Sequence, residues 1–175
     1  MDPKQSAHLA RLRHLRESFA EANERLVARL RGATDEAAAR VPAGGWSAAQ
    51  IAWHVATVTN RFAGLMSGDQ PGPVAMPAGF VERKWDEVLA GIPAKLQAPS
   101  SATPPPTVSR HDAISMLEES GMRMARALDR LTPERGAGMG ITHAITGTIS
   151  VYQIGDWATA HIIRHNRQAK QVLQS

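Results

Sequence analysis

Apolar residues recur at helical spacing in four stretches of the chain. In the first, Leu12, Leu15, Phe19, Ala22, Leu26 and Leu30 follow one another at steps of three and four. That spacing lays a single stripe along a helix over residues 4–31. Arg11, Arg13, Glu17, Glu24 and Arg29 fall off the stripe, and Gly32 is a stop. Three later stretches open on a shared start signal: Ser47-x-x-Gln50, Ser109-x-x-Asp112 and Ser150-x-x-Gln153. A serine N-cap accepts from the N–H three residues on, and glutamine at that third position reaches back to the cap N–H. Asp112 is shorter and closes the box less well. These signals predict helices at about 47–67, 109–131 and 150–174.

The connections differ in length. Residues 68–108 carry Pro71, Pro73, Pro77, Pro99 and the run Pro104-Pro105-Pro106. A short helix around Trp85 and Leu89 is expected within them. A link of this length can traverse a whole bundle, so the second and third long helices can run parallel. Residues 132–149 are glycine-rich and are expected to fold over one end. Gly136-x-Gly138-x-Gly140 has no preceding strand and reads as a turn, not a dinucleotide loop. No internal repeat and no alternating strand pattern is seen. The expected fold is all-α: a single-domain four-helix bundle over residues 1–175, with a long crossover between its second and third helices.

Composition narrows the chemistry. The 175 residues suit one hydrophobic core. Aromatics are only 5%, so aliphatic side chains must build most of it. The absence of cysteine removes disulfides, thiolate metal ligands and a cysteine nucleophile. No apolar run approaches the ~18 residues of a membrane span. The polar start, Met1-Asp2-Pro3-Lys4-Gln5, lacks the apolar core of a signal peptide, so the default expectation is a cytoplasmic protein without a membrane partner. The net charge of +4 is spread over solvated helix faces. There is no basic cluster interleaved with aromatics and no finger or recognition-helix motif, so no nucleic-acid partner is expected.

Seven histidines are present. His8, His14, His111 and His143 read as solvent-facing or locally hydrogen-bonded. The other three sit on apolar stripes. The second helix carries Ile51, His54, Val58, Phe62 and Leu65; the fourth carries Ile154, Trp157, His161, His165 and Gln168. Helical periodicity demands burial at each of these positions. A buried imidazole without a partner costs roughly 1–3 kcal/mol, so something must satisfy the rings.

His161 and His165 are one turn apart, with Cβ atoms about 5–6 Å from each other. Two imidazoles at that spacing can share one metal ion. At ~1.5 Å rise per residue, His54 lies about 10 Å past its cap, and the midpoint of the pair about 20 Å past its own. The two depths coincide if the helices are antiparallel with level ends. Two explanations stand at this point: a three-histidine site for a divalent metal, or three buried rings hydrogen-bonded to Gln168, Thr57 or backbone. Ile162 follows His161, so the glutamate base of a His-Glu-x-x-His peptidase is missing.

Two segments carry a resemblance. Gly45-Trp46-Ser47-x-x-Gln50-Ile51-x-x-His54 opens the second helix. Ser150-Val151-x-Gln153-Ile154-x-x-Trp157-x-x-x-His161-x-x-x-His165-x-x-Gln168 runs through the fourth. Together with the helix order, they make the chain similar to the DinB/YfiT-like superfamily. The resemblance implies an up-down-down-up four-helix bundle in which His54, His161 and His165 hold a divalent metal, zinc or nickel, and commonly a homodimer. Characterised relatives include S-transferases that use bacillithiol, mycothiol or glutathione, and a mycothiol-dependent maleylpyruvate isomerase.

The leading functional expectation is a metal-dependent S-transferase for a low-molecular-weight thiol, acting on a small-molecule substrate. The thiolate must come from the cofactor, because the chain has no cysteine of its own. Arg61 and Arg164 are candidates to engage carboxylates of that thiol, and Trp157 is a candidate pocket wall. A metal-dependent hydrolase is the alternative, weakened by the lack of an evident core carboxylate base; Asp156 is expected to point outward or to tune the ligands indirectly. The third expectation is a non-enzymatic, stress-related binding protein that retains the metal site.

Overall fold

A computed structural model describes residues 2–93 and 96–175. The chain forms α1 (Pro3–Arg31), α2 (Asp35–Ala39), α3 (Ala48–Ser67), β1 (Val74–Ala75), α4 (Trp85–Ala90), a 3-10 turn (Ser100–Ala102), α5 (Arg110–Asp129), α6 (Pro133–Gly138), β2 (Met139–His143), β3 (Gly147–Ser150) and α7 (Val151–Leu173). The four long helices start and stop close to where the apolar spacing and serine caps place them. Ser47 and Ser150 each close a full capping box with Gln50 and Gln153. Ser109 accepts from the Asp112 N–H without the return bond, as the shorter aspartate requires.

Contacts along the helices set their directions. α1 and α7 run the same way: His8 meets Tyr152 near one end, and Arg29 meets Asn166 further along. α3 runs against α7, with His54 beside His165 and Phe62 beside Trp157. α5 runs against α1, because Arg110 reaches the Leu30 carbonyl while Arg16 pairs with Asp129. α3 and α5 are therefore parallel.

The connection between them crosses the bundle from end to end. At one end the Arg83 carbonyl accepts from Gln153 Nε2, at the start of α7. At the other, the Pro105 and Pro106 carbonyls accept from Gln50 Nε2, at the start of α3. The short helix expected near Trp85 and Leu89 forms on this crossover as α4.

The apolar stripes meet in one core. Leu15, Leu26 and Leu30 of α1, Ile51 and Met66 of α3, Leu117, Met124 and Leu128 of α5, and Ile154 and Ile162 of α7 are fully buried. Each such side chain removed from water contributes roughly 1.5–3 kcal/mol. Gly155 lets α7 approach α1 closely: a Cβ there would lie 3.1 Å from a Leu15 methyl.

Three expectations need correction. Residues 132–149 are not simply a glycine-rich loop, for they hold α6 and the β2–β3 hairpin. β1 pairs with β2 through Val74 and Ala75, making a three-stranded antiparallel sheet. These strands show no apolar alternation because they are short and only partly buried; backbone pairing across distant segments builds them. His8 is neither solvent-facing nor locally bonded. It lies four residues before Leu12, on the same stripe, and is buried with Nδ1 2.5 Å from Tyr152 Oη. Asp156 does not point outward. It is buried in an ion pair with Arg11, which also reaches Glu82. Burial raises the Asp156 pKa, against the opposing pull of Arg11.

Candidate metal centre

The two capping boxes position the three histidines. One starts α3 at Ala48 and leaves His54 on the face turned to α7. The other starts α7 at Val151 and sets His161 and His165, one turn apart, on the face turned to α3. The antiparallel packing brings all three to the same depth, as the axial arithmetic requires. One nitrogen from each ring lies within 4.8 Å of the others. His54 is buried, and His161 and His165 are partly buried.

Hydrogen bonds orient the rings. His54 Nδ1 is 2.7 Å from the Ala102 carbonyl, and His165 Nδ1 is 2.8 Å from Gln168 Oε1. Each acceptor makes its Nδ1 the N–H donor, so each Nε2 carries a lone pair. His54 Nε2 faces His161 Nε2 at 3.1 Å. Nitrogens bound to one ion at ~2.0–2.1 Å stand about 2.9–3.4 Å apart, so this separation suits a shared cation. His161 Nδ1 is buried without a hydrogen-bond partner among the described residues. The His54–His161 contact is itself within hydrogen-bond distance, so the unmet group is His161 Nδ1. Thr57 donates its hydroxyl to the Trp53 carbonyl and makes no bond to a ring among the described residues.

All three rings are held neutral, the form that binds metal. His165 is lowered to about 4, chiefly by burial and then by His54, with Gln168 opposing. Burial also lowers His54, against the Ala102 carbonyl, and takes His161 well below its ordinary value with help from His165 and His54. The Arg164 guanidinium adds to the lowering at each of the three.

Around this cluster, Trp46 packs on His54 with ring centroids 5.1 Å apart. Trp157 is half-buried, 5.3 Å from Phe62 and 5.2 Å from His143 by ring centroids. Phe62 in turn meets His161 edge-on at 6.4 Å. Arg164 Nη1 lies 3.5 Å from the Pro93 carbonyl on the crossover, and Arg61 is exposed on α3. The structure thus adds two elements that spacing did not single out. The Ala102 carbonyl comes from the crossover and has no sequence signal. His143 reaches Trp157 from the end of β2, and only the hairpin reveals that neighbourhood.

The donor set is three neutral imidazole nitrogens, two of them fixed by their far nitrogens. Such a set can hold one divalent metal ion and leave room in its coordination sphere. Among the described residues, Arg164 is the charged group outside the cluster that acts on the rings.

No curated protein matches the chain. The family model described as the DinB superfamily matches residues 18–169, a span that includes all three histidines and the four long helices except the first half of α1 and the end of α7. The chain belongs to the DinB superfamily.

Proposed function

We propose that this protein is a divalent-metal-dependent S-transferase that uses a low-molecular-weight thiol as co-substrate. The observation that carries the reading is a metal-competent histidine cluster in a chain that has no thiol of its own. The chain has no cysteine, and among the described residues the group able to hold a metal consists of three histidines with no carboxylate. A thiolate acting at this site must therefore come from a co-substrate. A divalent ion, when bound, supplies Lewis acidity that lowers the pKa of a coordinated thiol into the neutral range.

The chain's residues have separable roles in this reading. His54, His161 and His165 hold the ion. The Ala102 carbonyl and Gln168 hold two of the rings in the correct tautomer. Arg164, whose charge is felt at all three rings, binds a carboxylate of the thiol or of its partner substrate. Trp157 and Phe62 form an aromatic wall beside His161 and keep water from one side. Arg61 lies further out on α3 and acts, in this reading, on the approach of anionic substrates. Zinc and nickel both suit the donor set. A homodimer and a cytoplasmic location complete the proposal; light scattering on the purified protein checks the first.

Cobalt substitution tests the reading. The Co²⁺-loaded protein is titrated with glutathione, mycothiol and bacillithiol while its visible spectrum is recorded. A new intense sulfur-to-cobalt absorption with one of these thiols, lost in His161→Ala, is the expected result. An unchanged spectrum with every thiol tested contradicts the transferase reading while leaving metal binding intact.

A further inference from the structure

Away from the histidines, the C-terminal half of α3 and the second half of α5 enclose a cleft of about 320 Å³. Its lining is Ala63, Ser67 and Asp69 on one side, and Arg123, Arg126, Ala127 and Arg130 on the other. The three arginines fall at steps of three and four, on one face of α5. None of their guanidinium groups has a hydrogen-bond or ion-pair partner among the described residues. Arg11, Arg16, Arg25, Arg31 and Arg110 each pair with a carboxylate, whereas Arg13, Arg61 and Arg167 stand apart from one another without one among the described residues, so what marks the cleft is three unpaired arginines on one face. Three adjacent like charges are mutually destabilising unless something neutralises them.

From this cleft we infer a second ligand site, one that binds the phosphate of a small phosphomonoester. Charge complementarity selects the ligand. Three arginines against the one carboxylate of Asp69 leave the cleft with two net positive charges. A phosphomonoester carries about −1.5 to −2 at pH 7 and offers three acceptor oxygens. Guanidinium forks match those oxygens bidentately, which gives arginine its advantage over lysine in such a place.

Volume points the same way, since about 320 Å³ is at the small end of ligand clefts. A nucleic acid fits less well. Duplex binders neutralise about 6–10 phosphates along an extended track, and single-strand binders stack bases on aromatic rings. This cleft has three cations and no aromatic residue in its lining. The site is also separate from the metal centre. Ala63 and Ser67 lie nine and thirteen residues beyond His54 on α3, about 14–20 Å along its axis.

The test uses the full chain labelled with 15N, once stripped of metal and once zinc-loaded, titrated with glycerol 2-phosphate and followed by NMR. Saturable shifts are expected at the arginine Nε–H signals of 123, 126 and 130 and at the amides of 63–69, alike in both forms. The Arg126→Gln/Arg130→Gln variant is expected to bind at least tenfold more weakly. Asp69→Asn, which removes the opposing carboxylate, is expected to bind several-fold more tightly. These residues are exposed apart from Ala63, Ser67 and Ala127, and the circular dichroism of each variant checks that its helices persist. Shifts that fail to saturate, equal affinity in the arginine variant, or weaker binding in Asp69→Asn each overturn the inference. Tighter binding of a short polyglutamate peptide than of glycerol 2-phosphate also overturns it, by assigning the cleft to acidic protein segments. Because the cleft is tested with and without zinc, its failure leaves the metal reading untouched, and the reverse holds.

Discussion

His54 and His165 are each gripped at the far nitrogen, and this decides which nitrogen is offered to a ligand. The Ala102 carbonyl and Gln168 Oε1 both take an Nδ1–H, which turns the two Nε2 lone pairs inward. Proton binding competes with this arrangement. In the unfolded chain these histidines titrate near 6.5. In the folded chain all three are lowered, His165 to about 4. Below about pH 6.5 the unfolded state binds more protons than the native state, so stability falls as the pH drops toward 4. Asp156, raised by burial, works the other way, because its carboxyl takes up a proton more readily when folded. Three histidines outweigh one aspartate. Urea unfolding in the presence of a chelator is therefore expected to show a lower midpoint at pH 4.5 than at pH 7. The His161→Gln/His165→Gln variant is expected to show a smaller drop, and an equal drop would mean that other groups set the acid sensitivity.

At the scale of elements, the N3 glutamines do two jobs. Gln50 closes the cap of α3 with its Oε1 and ties the Pro105 and Pro106 carbonyls with its Nε2. Gln153 closes the cap of α7 and ties the Arg83 carbonyl in the same way. A glutamate would satisfy the caps equally well but has no N–H for the crossover. Gln50→Glu is expected to cost about 1–3 kcal/mol, since it sets a carboxylate against carbonyl oxygens in a largely buried place. Thermal unfolding measures this, and an unchanged melting temperature would show that the clamp contributes nothing. The caps themselves were legible in the sequence because Ser-x-x-Gln is a local signal. The clamp was not, since its partners lie at least 55 residues away. The β2–β3 hairpin escaped for a related reason. Its strand residues Met139–His143 are mostly half-buried or exposed, so no apolar alternation marks them.

Across the whole molecule, the long crossover lets α3 and α5 run parallel and leaves α3 antiparallel to α7. That arrangement carries His54 to the level of His161 and His165. The three clustered histidines are legible because each occupies an apolar stripe, where an unsatisfied ring is costly. His8 is harder to place, because the partner that buries it, Tyr152, lies 144 residues away. Arg11 and Asp156 went unseen as a pair for the same reason, since only the parallel packing of α1 on α7 brings them together.

The central claim is that His54, His161 and His165 hold one divalent ion. Metal-free protein titrated with Zn²⁺ in a calorimeter, with bound metal counted by elemental analysis after gel filtration, tests it most directly. The account predicts one zinc per chain, and a loss of at least a hundredfold in affinity in His54→Ala, His161→Ala and His165→Ala alike. Stoichiometric zinc that survives replacement of His161, or no retained metal in the folded wild-type protein, would contradict it.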